Sequence, residues 1–216
     1  MVIVSVIAFA FSLGNRLQAQ REQSVSTAII IKEWKSLFDG KTLSGWETLR
    51  YGGTGEPYVE NGSLILPVAV SGTMTGVRWI GDSLPVNNYV VSYEARRVAG
   101  KDIFAALTFP YGDTYASLIF SGWGGMINGL SSIDGYDASE NETSKLSFLD
   151  DNQWYTVELR VTTDSIRAVV GSEQVVDIAT AGKQLHLRSN LLDTGLCLWT
   201  YLSKGEIRNI RIKSLP

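Results

Sequence analysis

Short apolar runs separated by glycine- and asparagine-containing turns dominate the chain, and two of them alternate strictly. From Asn88 to Val98, Tyr89, Val91, Tyr93 and Ala95 fall on one side, and Ser92, Glu94 and Arg96 on the other. From Gln153 to Thr162, Tyr155, Val157, Leu159 and Val161 alternate with Thr156, Glu158, Arg160 and Thr162. A period of two with one polar face predicts half-buried antiparallel strands. Ile103 to Phe109 and Tyr115 to Phe120 are more uniformly apolar and are expected at the centre of a sheet. Tyr58 to Leu66 reads as a hairpin across Asn61-Gly62, a pair that favours tight hairpin turns. Ser165 to Val170 and Glu173 to Ile178 pair across Gly171-Ser172, while Thr75 to Ile80, Leu196 to Leu202 and Glu206 to Leu215 supply further strands. The first ordered element is expected over Ile29 to Phe38, running into an Asp39-Gly40 turn and a loop anchored by Leu43 and Trp46.

These segments amount to about a dozen short strands with no sustained helical periodicity, which predicts an all-β fold. The spacing fits a two-sheet antiparallel sandwich of jelly-roll type better than a closed barrel. No repeat of blade length appears, which argues against a propeller.

The N-terminus departs from this pattern. Val2 to Leu13 is apolar apart from Ser5 and Ser12, and Leu17-Gln18-Ala19 offers a small-residue cleavage pattern, although no Lys or Arg precedes the run. Such a run is shorter than the roughly twenty residues of a membrane span, so residues 1–20 are expected to be a signal peptide for secretion or export to the periplasm. Residues 21–28 then form a flexible leader and residues 29–216 a single β-sandwich domain without a membrane span. The net charge of -3 lacks the basic excess that phosphate binding requires, so nucleic acid is not an expected partner.

Cys197 and His186 are the sole residues of their types, which excludes a zinc site built from several thiolates or imidazoles of one chain. Cys197 lies in the apolar run Leu196-Cys197-Leu198-Trp199, where it reads as a small hydrophobe. His186 and Arg188 share the polar face of Lys183 to Arg188, where a solvated histidine is a simpler reading than a general base.

Candidate chemistry concentrates between Phe104 and Thr143, where turns break the apolar strands and polar side chains accumulate from Ser131 onward. Rigid sheets commonly present such loops as binding or catalytic surfaces. Glycoside hydrolysis uses paired carboxyl groups, and Asp134, Asp137, Glu142 and Asp113 are the candidate catalytic acids. Trp123, Tyr111, Tyr115 and Tyr136 are candidates to stack on sugar rings, with Ser132 and Asn141 as hydrogen-bonding partners. The competing reading makes the Asp and Asn residues turn formers that bond their own backbone. Asp134, Asp137, Glu140 and Glu142 also offer oxygens to a divalent cation such as calcium, without the spacing of an EF-hand loop.

Ser36-Leu37-Phe38-Asp39-Gly40-Lys41-Thr42-Leu43-Ser44-Gly45-Trp46 resembles the opening motif of the 3-keto-disaccharide hydrolase family, formerly a domain of unknown function. Ile207 to Lys213 is similar to that family's closing strand. The resemblance implies a concanavalin A-like β-sandwich, an extracytoplasmic location and activity on 3-keto-disaccharides or related glycosides. The centre departs from the usual pattern: Leu107 to Asp113 and Ser121 to Thr143 look like a divergent subgroup, so no catalytic role carries over residue by residue. A carbohydrate-directed hydrolase is therefore the leading expectation, and a non-catalytic sugar-binding module using the same surface is the alternative.

Overall fold

The computed structural model describes residues 29–51, 55–70, 72–188 and 194–216. The expected signal peptide and leader lie outside the described residues. Two antiparallel sheets face each other. One is formed by β1 (Lys35–Ser36), β3 (Tyr58–Glu60), β4 (Ser63–Leu66), β6 (Tyr89–Gly100), β11 (Tyr155–Val161), β12 (Ser165–Val170), β13 (Glu173–Ala179) and β15 (Ser203–Ser214), in the order β13-β12-β11-β6-β15-β4-β3 with β1 also on β15. The other comprises β2 (Trp46–Thr48), β5 (Met74–Trp79), β7 (Ala106–Tyr111), β8 (Thr114–Ser121), β9 (Ile127–Ser131), β10 (Lys145–Leu146) and β14 (Cys197–Tyr201), in the order β10-β9-β8-β7-β14-β5-β2. The expected all-β sandwich is what the chain forms.

The alternation seen in the sequence becomes the burial pattern directly. Along β11, Tyr155, Val157, Leu159 and Val161 are buried and the residues between them exposed. They pair in register with Tyr89, Val91, Tyr93 and Ala95 of β6, so one apolar stripe continues across both strands into the core. Leu107, Phe109, Leu118, Phe120, Leu130 and Leu198 of the opposite sheet close the core from the other side. Tyr89 and Tyr93 cross the gap between sheets: their buried hydroxyls donate to the carbonyls of Pro110 at 2.5 Å and Ala105 at 2.8 Å. A buried hydroxyl without a partner is costly, so these bonds fix how the sheets face each other as well as filling volume.

The Asp39-Gly40 turn forms as its chemistry suggests. Asp39 Oδ1 accepts the amides of Lys41 and Thr42, both at 2.8 Å, and Gly40 takes φ 73°. The loop's Trp46 is buried, donating its indole N–H to Leu37 O at 2.7 Å and meeting Trp79 edge-on at 5.3 Å. Between Ile29 and Phe38 only Lys35–Ser36 pairs as a strand, flanked by single backbone bonds to β15 from Ile31 O, which accepts the Ser214 amide, and from the Leu37 amide, which donates to Ile210 O, both at 2.8 Å.

Candidate functional site

The seven-stranded sheet has a second apolar surface on the face turned away from the core. Where Leu198, Val77, Leu107 and Leu118 point inward, their neighbours Cys197, Trp199, Met74, Ala106 and Ile119 form a separate cluster on the opposite face. Tyr51, Trp123, Ile127 and Leu187 pack onto this cluster. Gly76 makes room for it: a Cβ there would stand 2.6 Å from Leu198 O and 2.7 Å from Trp199 Cβ. The Trp199 indole N–H donates to Thr108 Oγ1 at 3.0 Å, and Thr108 in turn meets Ser117 Oγ at 2.9 Å.

Above this floor lies a pocket of about 530 Å³. Its lining includes Tyr51, Met74, Asp102, Ile103, Ile119, Trp123, Ser131, Arg188, Trp199 and Tyr201. Trp123 stands in the turn Gly122–Gly125, where Trp123 (φ 49°) and Gly124 (φ 76°) both adopt left-handed backbone. The turn is tied down from two directions. Asp102 Oδ2 accepts the Gly124 amide at 2.9 Å. Beneath it the buried Arg97 donates to Ser121 Oγ, to Asp151 Oδ1 at 2.5 Å and to Leu149 O at 2.8 Å.

Asp137 and Arg188 supply the charge. Arg188 Nε reaches Asp137 Oδ2 at 2.9 Å, and its guanidinium lies 5.9 Å from the centre of the Trp123 ring. Asp137 Oδ1 also takes hydrogen bonds from Ser132 Oγ at 3.1 Å and Ser131 Oγ at 3.3 Å. Asp137 is therefore held by one guanidinium and two hydroxyls at the end of β9, next to the pocket wall formed by Ser131 and Arg188.

The other expected residues are distributed differently. Asp134 is exposed, with left-handed backbone (φ 52°), and its Oδ1 accepts the Gln184 amide at 2.7 Å. Glu142 pairs with Lys183. Asn141 is consumed locally: its amide donates to Leu130 O and Tyr136 O, and its Oδ1 accepts from Thr143 N at 2.9 Å and Thr143 Oγ1 at 2.6 Å. Tyr136 is exposed beside this turn. Tyr111 and Asp113 line a different depression of about 460 Å³ with Lys183 and His186, and the Tyr111 hydroxyl bonds Thr163 O and Thr180 Oγ1. Tyr115 shares the outward face of β8 with Ser117 and Ile119 by strand alternation, but is not part of the main pocket's lining. Of the expected residues, the structure brings Trp123, Ser132 and Asp137 together.

His186 has both ring nitrogens engaged by backbone. Nε2 accepts the Gly135 amide at 3.0 Å and Nδ1 lies 2.9 Å from Leu187 O, which assigns a neutral ring protonated at Nδ1. It holds the turn that leads to Asp137 and leaves no nitrogen for a hydroxyl nucleophile. Among the described residues no group of three or more His, Cys, Asp or Glu side chains could hold a metal ion, so Asp134, Asp137, Glu140 and Glu142 do not converge on a cation.

Sequence reasoning missed Asp102, Tyr51, Met74, Ile103, Trp199 and Tyr201, because they come together only when β7, β14, β5 and β2 line up in the sheet and the residues flanking β7 and β2 meet across them. The polar-face position of Arg188 was the one readable signal.

The family model of the 3-keto-alpha-glucoside-1,2-lyase-like domain matches residues 33–213. The chain belongs to this family. Members of the curated protein set give no match to it. Solved structures similar to this family member include the Crh5 transglycosylase in complex with NAG (10% identity, 88% of this chain and 87% of that one, TM-score 0.63). A galectin-like protein of unknown function from Bacillus subtilis aligns over 87% of this chain and 97% of its own (10% identity, TM-score 0.61). The carbohydrate-binding module CBM66 from Bacillus subtilis aligns over 79% and 96% (12% identity, TM-score 0.53). At these identities the likeness establishes the galectin-like sandwich fold, and the family marks a carbohydrate-related protein. Among the described residues no helix is long and apolar enough to cross a membrane.

Proposed function

We propose that this family member cleaves 3-keto-glucosides in the pocket on the outer face of the seven-stranded sheet, outside the cytoplasm. The observation that carries this is Arg188 beside Trp123 in the wall of an aromatic-floored pocket, with Asp137 paired to Arg188 next to that wall. Trp123, only partly buried, offers a flat apolar surface to the face of a sugar ring, above a floor that contains the buried Trp199.

The keto group supplies a route to cleavage that needs one base. A ketone at C3 acidifies the hydrogen on C2. A base removes that proton, the electron pair becomes an enolate on the C3 oxygen, and its collapse forms the C1=C2 double bond while the C1–O bond breaks and the leaving oxygen takes up a proton. Water adding across the new double bond gives the free 3-keto sugar, so the net change is hydrolysis. Asp137 is the base: its three hydrogen bonds leave one of the roughly four lone-pair positions of a carboxylate unused. Arg188 places fixed positive charge where the enolate oxygen develops, the kind of preorganised stabilisation that contributes most to such steps. Asp134 and Glu142 are engaged by Gln184 and Lys183, and Asp113 lines the other depression.

A sugar-binding role without cleavage has one supporting observation. The Asp137 carbonyl accepts the amides of Glu140 and Asn141, so this residue also builds a turn. Incubating the protein with a 3-keto-α-glucoside and with its unoxidised parent separates the two readings. Release of the aglycone from the keto form alone is expected, whereas binding of both without release would leave the module reading standing.

A further inference from the structure

We infer that the site is built for glycosides whose leaving group is apolar, an aryl or alkyl aglycone rather than a second sugar. This rests on the pocket assignment above and adds the identity of the group on the far side of the scissile bond.

The pocket is polarised across the sheet. Ser131 and Asp137 lie at the end of β9, and Arg188 joins them there. Crossing the sheet through β8, β7 and β14 to β5, the lining changes to Ile119, Trp199, Tyr201 and Met74, with Thr73 and Asp102 the polar exceptions, and the Asp102 oxygens accept the Gly124 and Ile103 amides. The rim beyond continues the trend. Leu202 is 42% exposed, and its Cδ2 lies 3.8 Å from where a Cβ on the pocket residue Gly72 would stand. Val70, two residues before Gly72, is 91% exposed. An exposed apolar edge joined to a pocket marks a surface that gains when a ligand covers it.

A sugar ring in the leaving position would set its hydroxyls against Met74 and Leu202 and lose hydrogen bonds to water there. A phenyl or alkyl group covers the same side chains at no such cost. The charged end meanwhile takes the keto sugar, whose carbonyl and hydroxyls match Arg188, Asp137 and Ser131. The two ends of the pocket thus fit the two ends of one amphipathic glycoside.

The test is calorimetric titration of the Asp137→Asn protein, which binds without turning over, with three ligands: methyl, phenyl and glucosyl 3-keto-α-glucoside. Phenyl is expected to bind at least about tenfold more tightly than the other two, about 1.4 kcal/mol. Adding Leu202→Ser should reduce the phenyl preference and leave methyl binding unchanged. Equal affinities, tightest binding of the glucosyl compound, or a phenyl preference untouched by Leu202→Ser would overturn the inference while leaving the pocket assignment intact. Binding of none of the three would remove both.

Discussion

Arg188 Nε lies 2.9 Å from Asp137 Oδ2, joining two segments that are distant in the chain. The run that ends at Arg188 is stitched to β9's exit by the Ser132 amide on His186 O at 2.9 Å and by the Ile133–Leu185 bridge. This stitching is what brings a guanidinium and the Trp123 indole to one pocket wall, with the Asp137 carboxylate paired next to it.

Replacing Asp137 by Asn keeps the shape and removes the base. Cleavage of a 3-keto-α-glucoside should fall roughly 10²–10⁴-fold, the usual contribution of a positioned base. Asp134→Ala and Glu142→Ala should retain most of the rate, because both side chains are committed to contacts with Gln184 and Lys183. Initial rates of aglycone release, with circular dichroism as a check on folding, compare the three variants.

Trp123→Ala should weaken sugar binding about tenfold or more, roughly 1.4 kcal/mol, while Trp154→Ala should not. Trp154 lies on the other sheet's surface, covered by Arg208 at 4.0 Å and Arg96 at 4.8 Å. Titration calorimetry with one ligand settles the contrast.

Gly76→Ala should move Trp199, since the added methyl falls within 2.7 Å of its Cβ. Overpacking of this kind costs about 1–3 kcal/mol. A lowered urea midpoint together with altered tryptophan fluorescence is the expected signature.

Burial pushes the Tyr89 and Tyr93 hydroxyls well above the ordinary tyrosine value of 10.0. The folded state therefore holds these protons after the unfolded chain has released them. Their contribution is complete below about pH 10 and is lost as pH rises beyond it. Urea midpoints measured along an alkaline series should fall in that range, and Tyr93→Phe should fall less steeply while losing the bond to Ala105 O.

The sequence and the structure agree most closely where a local pattern settles the outcome. β6 and β11 follow from strict alternation, the β3–β4 hairpin from Asn61-Gly62, and the β12–β13 pair from Gly171-Ser172. β9 is harder to read, because Ile127-Asn128-Gly129-Leu130-Ser131 mixes a glycine and a buried Asn into a short strand whose partner, β8, decides its state. The site shows the same division. Trp123, Ser132 and Asp137 stand in the polar central stretch that the sequence marks out. Asn141 and Asp134 stand there too and turn out to bond their own loops, since clustering in sequence does not distinguish a side chain aimed at backbone from one aimed at a pocket. Trp199 and Met74 reach the pocket only through sheet order, which no local pattern encodes.

The most direct measurement is the cleavage rate of a 3-keto-α-glucoside carrying deuterium at C2, set against the unlabelled compound. Proton removal by Asp137 predicts slower cleavage of the labelled substrate and loss of that deuterium to solvent, with both reactions suppressed in Asp137→Asn. Equal rates for the two substrates, with deuterium retained and Asp137→Asn as active as the wild type, would contradict it.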